Sequence, residues 1–178
     1  MTRKPTNRYR PHLLRILLAF LGALLLPLSF SNASFADDDE SSPQSWTVQV
    51  GSESSDQAIQ GMSFLPANIY INAGDTITWK ANSAEIHTVT FVAHGQSLKP
   101  FNPFDPKQLS RQGGTAYDGH SYYNSGIMAN VSNTGFKAVG HYTLKFQRTG
   151  NFTYYCIVHG KGMKGTVHVR AAGTDYPF

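Results

Sequence analysis

One short stretch of the chain, YYCIVHGKGMKG, concentrates side chains that bind soft metal ions. It contains the only cysteine of the protein, Cys156, followed by His159 and Met163. Electron-transfer copper sites use two imidazoles, one thiolate and a weakly bound axial thioether. The stretch supplies this set except for one imidazole, so a second histidine is needed on a strand that can lie beside the loop.

His87 is the upstream candidate. It opens the segment HTVTF after the strand-like TITW, and the alternation places it on one face with Val89 and Phe91. A histidine with apolar neighbours is more often a core residue than a metal ligand. The soft ligands in the loop around Cys156 make the ligand interpretation of His87 the favoured one. Zinc is the rival metal, because it accepts cysteine and histidine, but it has little use for a thioether.

These segments together resemble the cupredoxin family, the small blue copper proteins of the plastocyanin and azurin kind. The resemblance rests on TITW, on HTVTF and on the later Tyr-Tyr-Cys-x-x-His-x-x-x-Met, and it covers roughly Trp46 to Arg170. It implies an all-β, Greek-key sandwich or barrel that holds one copper ion alternating between Cu(I) and Cu(II). By position, the copper ligands of the family correspond to His87, Cys156, His159 and Met163.

The loop departs from the pattern of any single subfamily. Two residues separate Cys156 from His159, as in plastocyanin and amicyanin, whereas three separate His159 from Met163, as in azurin. Thr88 follows the first histidine, where the family commonly has an asparagine that hydrogen-bonds across to the cysteine loop. A hydroxyl is shorter than a carboxamide, so we expect a weaker hold on the Cys156 sulfur.

The first 36 residues have the order of a secretory signal peptide. Basic residues lie within residues 1–12, an apolar run extends from Ile16 to Leu28, and Ser34 and Ala36 precede a cleavage site. The run is shorter than the roughly 20 apolar residues that a membrane span requires. We therefore expect cleavage and export to the periplasm or the extracellular space, with a retained membrane anchor as the alternative.

Charge and cysteine content narrow the classes of partner. The segment 1–36 carries five of the 15 Lys and Arg residues and none of the 11 Asp and Glu residues, so the mature chain has a net charge of about −1. The net positive charge of the full sequence thus comes from the targeting segment and does not indicate a nucleic-acid partner. A single cysteine excludes an internal disulfide, and a metal-bound thiolate explains an unpaired cysteine in an exported protein.

The remaining chain divides into three parts, the second of which contains an insertion. We expect a disordered acidic tail at 37–45, a cupredoxin domain at 46–172 that contains a loop-rich insertion at about 92–138, and a C-terminal tail at 173–178. Alternating segments predict short strands. Those at 141–147 and 152–156 flank a turn and predict a hairpin that delivers the cysteine.

The leading hypothesis is a monomeric one-electron carrier that meets redox protein partners transiently. The alternative is a protein for capture, buffering or delivery of copper outside the cytoplasm. No His-x-His pair or Cys-His dipeptide occurs, so the additional copper sites of multicopper enzymes have no ligands and we expect no enzymatic activity. The remaining histidines of the domain are expected at the surface: His94, His120, His141 and His168.

Overall fold

The computed structural model describes residues 42–177. The predicted signal segment 1–36, residues 37–41 of the predicted tail and Phe178 lie outside the described residues. The described part contains one short helix, α1 (Pro106–Leu109), and short strands throughout. The strands are β1 (Ser45–Glu53), β2 (Gln60–Leu65), β3 (Asn68–Asn72), β4 (Thr76–Ala81), β5 (Thr90–Phe91), β6 (Arg111–Gln112), β7 (Ala116–Tyr117), β8 (Tyr123–Ser125), β9 (His141–Phe146), β10 (Gly150–Cys156) and β11 (Gly160–Arg170).

The strands form two mixed sheets around one core. The first sheet has the order β2-β1-β4-β9-β7 and the second has the order β3-β11-β10-β5-β8-β6. Three pairs are parallel (β1 with β4, β7 with β9, β3 with β11) and the other pairs are antiparallel. Strands that are neighbours in sequence often lie in different sheets, so the chain crosses repeatedly between the sheets. The predicted all-β, cupredoxin-like sandwich is confirmed.

An aromatic cluster centred on Trp79 of β4 fills the space between the sheets. Its ring centroid lies 5.3 Å from that of Tyr154 on β10 and 5.9 Å from that of Phe91 on β5. On β9, Tyr142, Leu144 and Phe146 are buried and alternate with exposed or half-buried residues, as the sequence pattern predicts. Period-two burial of this kind pins the register of each strand, since a slip by one residue would expose the apolar set.

The prediction that the segments 141–147 and 152–156, which form β9 and β10, pair as a hairpin is wrong. β9 pairs with β4 and β7 in the first sheet, whereas β10 pairs with β11 and β5 in the second. The turn between them therefore carries the chain from one sheet to the other. Alternation identifies strands and the face that each one buries, but two strands joined by a short turn need not be hydrogen-bonded partners.

The insertion 92–138 builds one end of the second sheet. Its strand β8 lies antiparallel to β5, with Asn124 opposite Thr90, and β6 extends the edge beyond β8. Helix α1 begins at Pro106, where the side chain of Asp105 caps the first turn by accepting from the N–H of Lys107. The segment therefore covers the strand that follows His87.

Both ends of the described chain converge on the buried carboxylate of Asp75. Its oxygens accept four hydrogen bonds, from Gln44 N at 2.7 Å, Trp46 Nε1 at 2.9 Å, Asn72 N at 2.9 Å and the Tyr176 hydroxyl at 2.8 Å. These contacts begin at Gln44, two residues before the predicted domain start at Trp46, and include Tyr176 of the predicted C-terminal tail. Among residues 42–177, no helix has the length and apolar character needed to cross a membrane.

Candidate metal centre

His87 lies just beyond β4, on a segment held from the side by the insertion. Its backbone exchanges two hydrogen bonds with Met128, at 2.9 Å from His87 N to Met128 O and 2.8 Å in the other direction. The side chain is fully buried. Its Nε2 lies 2.9 Å from the Ser83 hydroxyl oxygen, which also lies within 3.5 Å of the Glu85 carbonyl.

The Ser83 contact fixes the orientation of the His87 imidazole. When the Ser83 hydroxyl donates to the Glu85 carbonyl, its oxygen accepts from Nε2–H, and we assign the imidazole proton to Nε2 on this basis. Nδ1 is then unprotonated and directed to the Cys156 sulfur, 3.8 Å away. A second hydrogen bond that fixes the tautomer in this way is the usual support of a metal-binding histidine.

The other three predicted ligands come from the end of β10, the following turn and β11. Cys156 is the last residue of β10 and is buried, His159 lies in the turn, and Met163 is buried within β11. The register of β10 against β11 shifts between Tyr155, which lies opposite Lys164, and Cys156, which lies opposite Gly160. The shift leaves residues 161–163 of β11, which include Met163, without a partner on β10.

Three donor groups meet at one point. The Cys156 sulfur lies 3.2 Å from His159 Nδ1 and 3.8 Å from His87 Nδ1, and the donor atoms of the three residues all fall within 4.8 Å of one another. A metal ion about 2.0 Å from nitrogen and about 2.3 Å from sulfur has N···S separations of about 3.3–3.7 Å at angles of 100–120°. The two N···S separations lie close to this range, so the three side chains are positioned as a possible ligand set for one ion.

Burial sets the protonation of these groups. It lowers the pKa of His87 to about 4, with a further contribution from the charge of His159. It also lowers the pKa of His159, against the opposing effect of the Glu85 carboxylate. Burial raises the pKa of the Cys156 thiol, while the N–H of Thr88 acts in the opposite direction. Both imidazoles are thus neutral at pH 7, and the thiol must lose its proton when a metal binds.

Thr88, two residues before β5, contacts the cysteine loop in two ways. Its backbone N–H donates to the Cys156 sulfur at 3.3 Å, and its hydroxyl oxygen accepts from Ile157 N at 2.9 Å. The hydroxyl thus contacts the peptide after the cysteine, whereas the sulfur receives its hydrogen bond from the backbone. The sequence indicated the position of Thr88 but not this division of roles.

Met163 shares the buried cluster of apolar side chains with Cys156. Its role as an axial ligand stays a prediction. The remaining predicted surface histidines lie apart from the three donors: His94, His120 and His141 are exposed, and half-buried His168 stacks on Tyr70 with ring centroids 4.4 Å apart. No sequence pattern pointed to Ser83, because its contact with His87 depends on the path of the polar connection after β4.

Comparison with known proteins decides the family. The sequence pattern described as "Copper binding proteins, plastocyanin/azurin family" matches residues 49–170. The chain belongs to this plastocyanin/azurin family. Cupredoxins of this family bind one copper ion, and His87, Cys156 and His159 are positioned as a possible ligand set for it. Membership also indicates a copper-binding electron carrier.

Individual relatives of this cupredoxin are distant. The plastocyanin of Scenedesmus fuscus is 27% identical over 126 residues, which cover 70% of this chain and 98% of that protein. Among solved structures, a Cu(I) form of an amicyanin mutant is 22% identical, covers 71% of this chain and 82% of its own, and has a TM-score of 0.43. A mutant fern plastocyanin is 18% identical, covers 70% and 99%, and also has a TM-score of 0.43.

Proposed function

We propose that this cupredoxin is an exported one-electron carrier whose single copper ion is held by His87, Cys156, His159 and Met163. The observation that carries the proposal is the convergence of three donor atoms within 4.8 Å in a buried site. A copper ion bound there alternates between Cu(I) and Cu(II) and so supplies the one-electron step. The donor set of nitrogen, thiolate sulfur and thioether sulfur suits both oxidation states.

The protein keeps these donor atoms in fixed positions. Ser83 fixes the ring of His87, and the N–H of Thr88 fixes the Cys156 sulfur. Because these contacts are buried, moving either donor disrupts packed structure. A site that cannot relax toward the geometry preferred by one oxidation state exchanges electrons with little rearrangement.

His159 is the candidate for the point where electrons enter and leave. Its side chain is 18% exposed, whereas His87, Cys156 and Met163 are buried. A partner docked over this ring would approach the copper more closely than at any of the three buried ligands. Small and transient redox interfaces, at or below about 1,200 Å², suit such an encounter.

The proposal includes location and assembly. The targeting pattern at 1–36 supports export to the periplasm or the extracellular space, and a mature net charge of about −1 supports protein partners rather than nucleic acid. A monomer that carries electrons between partners, without substrate chemistry of its own, is consistent with a single site of four side chains.

A visible absorption spectrum tests the carrier function. Adding Cu(II) to the purified protein should produce an intense thiolate-to-copper band, which ascorbate should bleach and reoxidation should restore. Cys156→Ser should remove the band. Met163→Leu should retain it and raise the reduction potential, because loss of a weak thioether donor destabilises Cu(II) more than Cu(I).

The same measurement separates the carrier from a protein for copper capture or delivery. Copper bound tightly with no band that bleaches and returns would contradict the carrier and favour storage or delivery. No copper binding by the folded protein would contradict both.

A further inference from the structure

A chain of buried side chains runs from the cysteine loop into the insertion. Ile157 N donates to the Thr88 hydroxyl oxygen at 2.9 Å, the Thr88 and Thr90 hydroxyl oxygens lie 3.0 Å apart, and the Thr90 hydroxyl donates to Asn124 Oδ1 at 2.9 Å. Thr88, Thr90 and Asn124 are fully buried. We call these three residues the Thr88–Asn124 chain.

The chemistry of the groups fixes the direction of every hydrogen bond. The Oδ1 atom of an asparagine only accepts, so the one hydroxyl proton of Thr90 is committed to Asn124. Thr90 must therefore accept from Thr88. This leaves a lone pair of Thr88 for the N–H of Ile157.

The far end of the chain is anchored in the insertion. The amide nitrogen of Asn124 lies 3.0 Å from the carbonyl oxygen of Lys107, 2.9 Å from that of Gln108 and 3.4 Å from that of Ser110. These carbonyls lie in α1 and at its C-terminal end. A flip of the amide would point Oδ1 at the carbonyl oxygens, so the carboxamide has one acceptable orientation.

We propose that Thr90 and Asn124 are positioning residues for the copper loop and that the insertion serves as its buried anchor. The effect on copper rests on the proposed function, because it assumes that Cys156 is a ligand. Thr88 fixes the cysteine on both sides, by its N–H at the sulfur and by its hydroxyl at the next peptide. Thr90 and Asn124 hold that hydroxyl, and outer contacts of this kind orient ligands and tune a metal.

The decisive variant is Thr90→Val, which removes the middle hydroxyl and keeps the shape of the side chain. It leaves the Thr88 hydroxyl without its acceptor and Asn124 Oδ1 without its donor. Thr90→Ser keeps the hydroxyl and should restore the chain. The matched control is Thr78→Val, which breaks another hydroxyl pair, 2.9 Å from Thr78 to Thr143, in the other sheet.

The primary readout uses the copper-free protein. Backbone hydrogen exchange at Ile157 should be about tenfold faster in Thr90→Val than in the original protein, the factor expected for loss of one buried hydrogen bond. Thr90→Ser and Thr78→Val should leave it within about twofold. After loading, Thr90→Val should bind Cu(II) at least about tenfold more weakly and shift the thiolate-to-copper band.

Two results would overturn the inference: unchanged exchange at Ile157 in Thr90→Val, or an equal acceleration in Thr78→Val. If Thr90→Val does not fold, the comparison of Thr90→Ala with Thr90→Ser decides the same question. Failure of the proposed function is visible separately, since it would remove the copper band from the original protein. The exchange measurement on the copper-free protein is independent of that result.

Discussion

Adding a single methyl group at Gly51 should disturb the candidate metal centre directly. Gly51 lies at the irregularity of β1, between Val50 and Ser52, with φ of +69°. A Cβ atom there would lie 2.4 Å from His87 Nε2 and 2.5 Å from the Ser83 hydroxyl oxygen. Both atoms belong to the hydrogen bond that orients the imidazole. Gly51→Ala therefore inserts a methyl group into the support of a candidate ligand.

The cost of Gly51→Ala has two parts. Left-handed backbone costs a non-glycine residue about 1–2 kcal/mol, and an added methyl in a packed interior costs about 1–3 kcal/mol. Ordinary contact distances are about 3.5 Å or more, so the ring must move by about 1 Å to relieve the overlap. We expect the free energy of unfolding of the copper-free protein to fall by about 2–5 kcal/mol, and copper to bind about 10–100-fold more weakly.

Gly95→Ala provides the control for the backbone term. Gly95 has φ of +76° and no atom within 4 Å of an added Cβ. The difference between the two variants in urea unfolding isolates the steric part, about 1–3 kcal/mol. Copper titration should show weakened binding in Gly51→Ala alone. Equal unfolding midpoints and equal copper affinities for the two variants would refute the assigned contact with His87.

Two further predictions concern stability. Asp75→Ala removes the acceptor of four hydrogen bonds and should lower the free energy of unfolding in urea by roughly 3 kcal/mol or more; a loss no larger than that of exposed Asp56→Ala would contradict this account. Burial raises the pKa of Tyr117 to about 12. Between pH 10 and 12 the unfolded chain loses this proton first, so stability should fall as pH rises, with a slope of about 1.4 kcal/mol per pH unit from this group. Urea unfolding across this range should show a shallower fall for Tyr117→Phe, and an unchanged slope would contradict the assignment.

The sequence predicted the donor residues because their chemistry is concentrated. Cys156 and His159 lie three positions apart, so a single turn brings them together. His87 is 69 residues before the cysteine, and its inclusion depended on family resemblance and on strand alternation. The structure brings potential ligand atoms of these three residues within 4.8 Å of one another, and their role as ligands stays a prediction. The sequence did not show that β9 and β10 lie in different sheets. A short turn between two strands has the same sequence pattern whether the strands form a hairpin or the chain crosses to the other sheet.

The burial of Thr88 and Thr90 also could not be predicted from the sequence. The alternation places both threonines on the face opposite His87 and Val89 and predicts that this face is polar and exposed. Both threonines are nevertheless fully buried. The reason is the insertion, whose strand β8 pairs with β5 and whose helix α1 supplies carbonyl acceptors to Asn124. A segment of poor periodicity gives no pairing signal, so the cover that it provides can only be seen in three dimensions.

The two imidazoles of the centre are held very differently, and the difference suits electron transfer. His87 is fixed through its backbone by Met128 and through its ring by Ser83, all in the interior. His159 lies in a turn, and its Nε2 is 3.9 Å from the nearest Glu85 oxygen, beyond hydrogen-bonding distance. The buried side of the site can therefore preserve the geometry while the exposed ring meets a partner. The insertion contacts the buried side of the site through Met128 at His87 and through Asn124 at Thr90, while the His159 side chain stays 18% exposed.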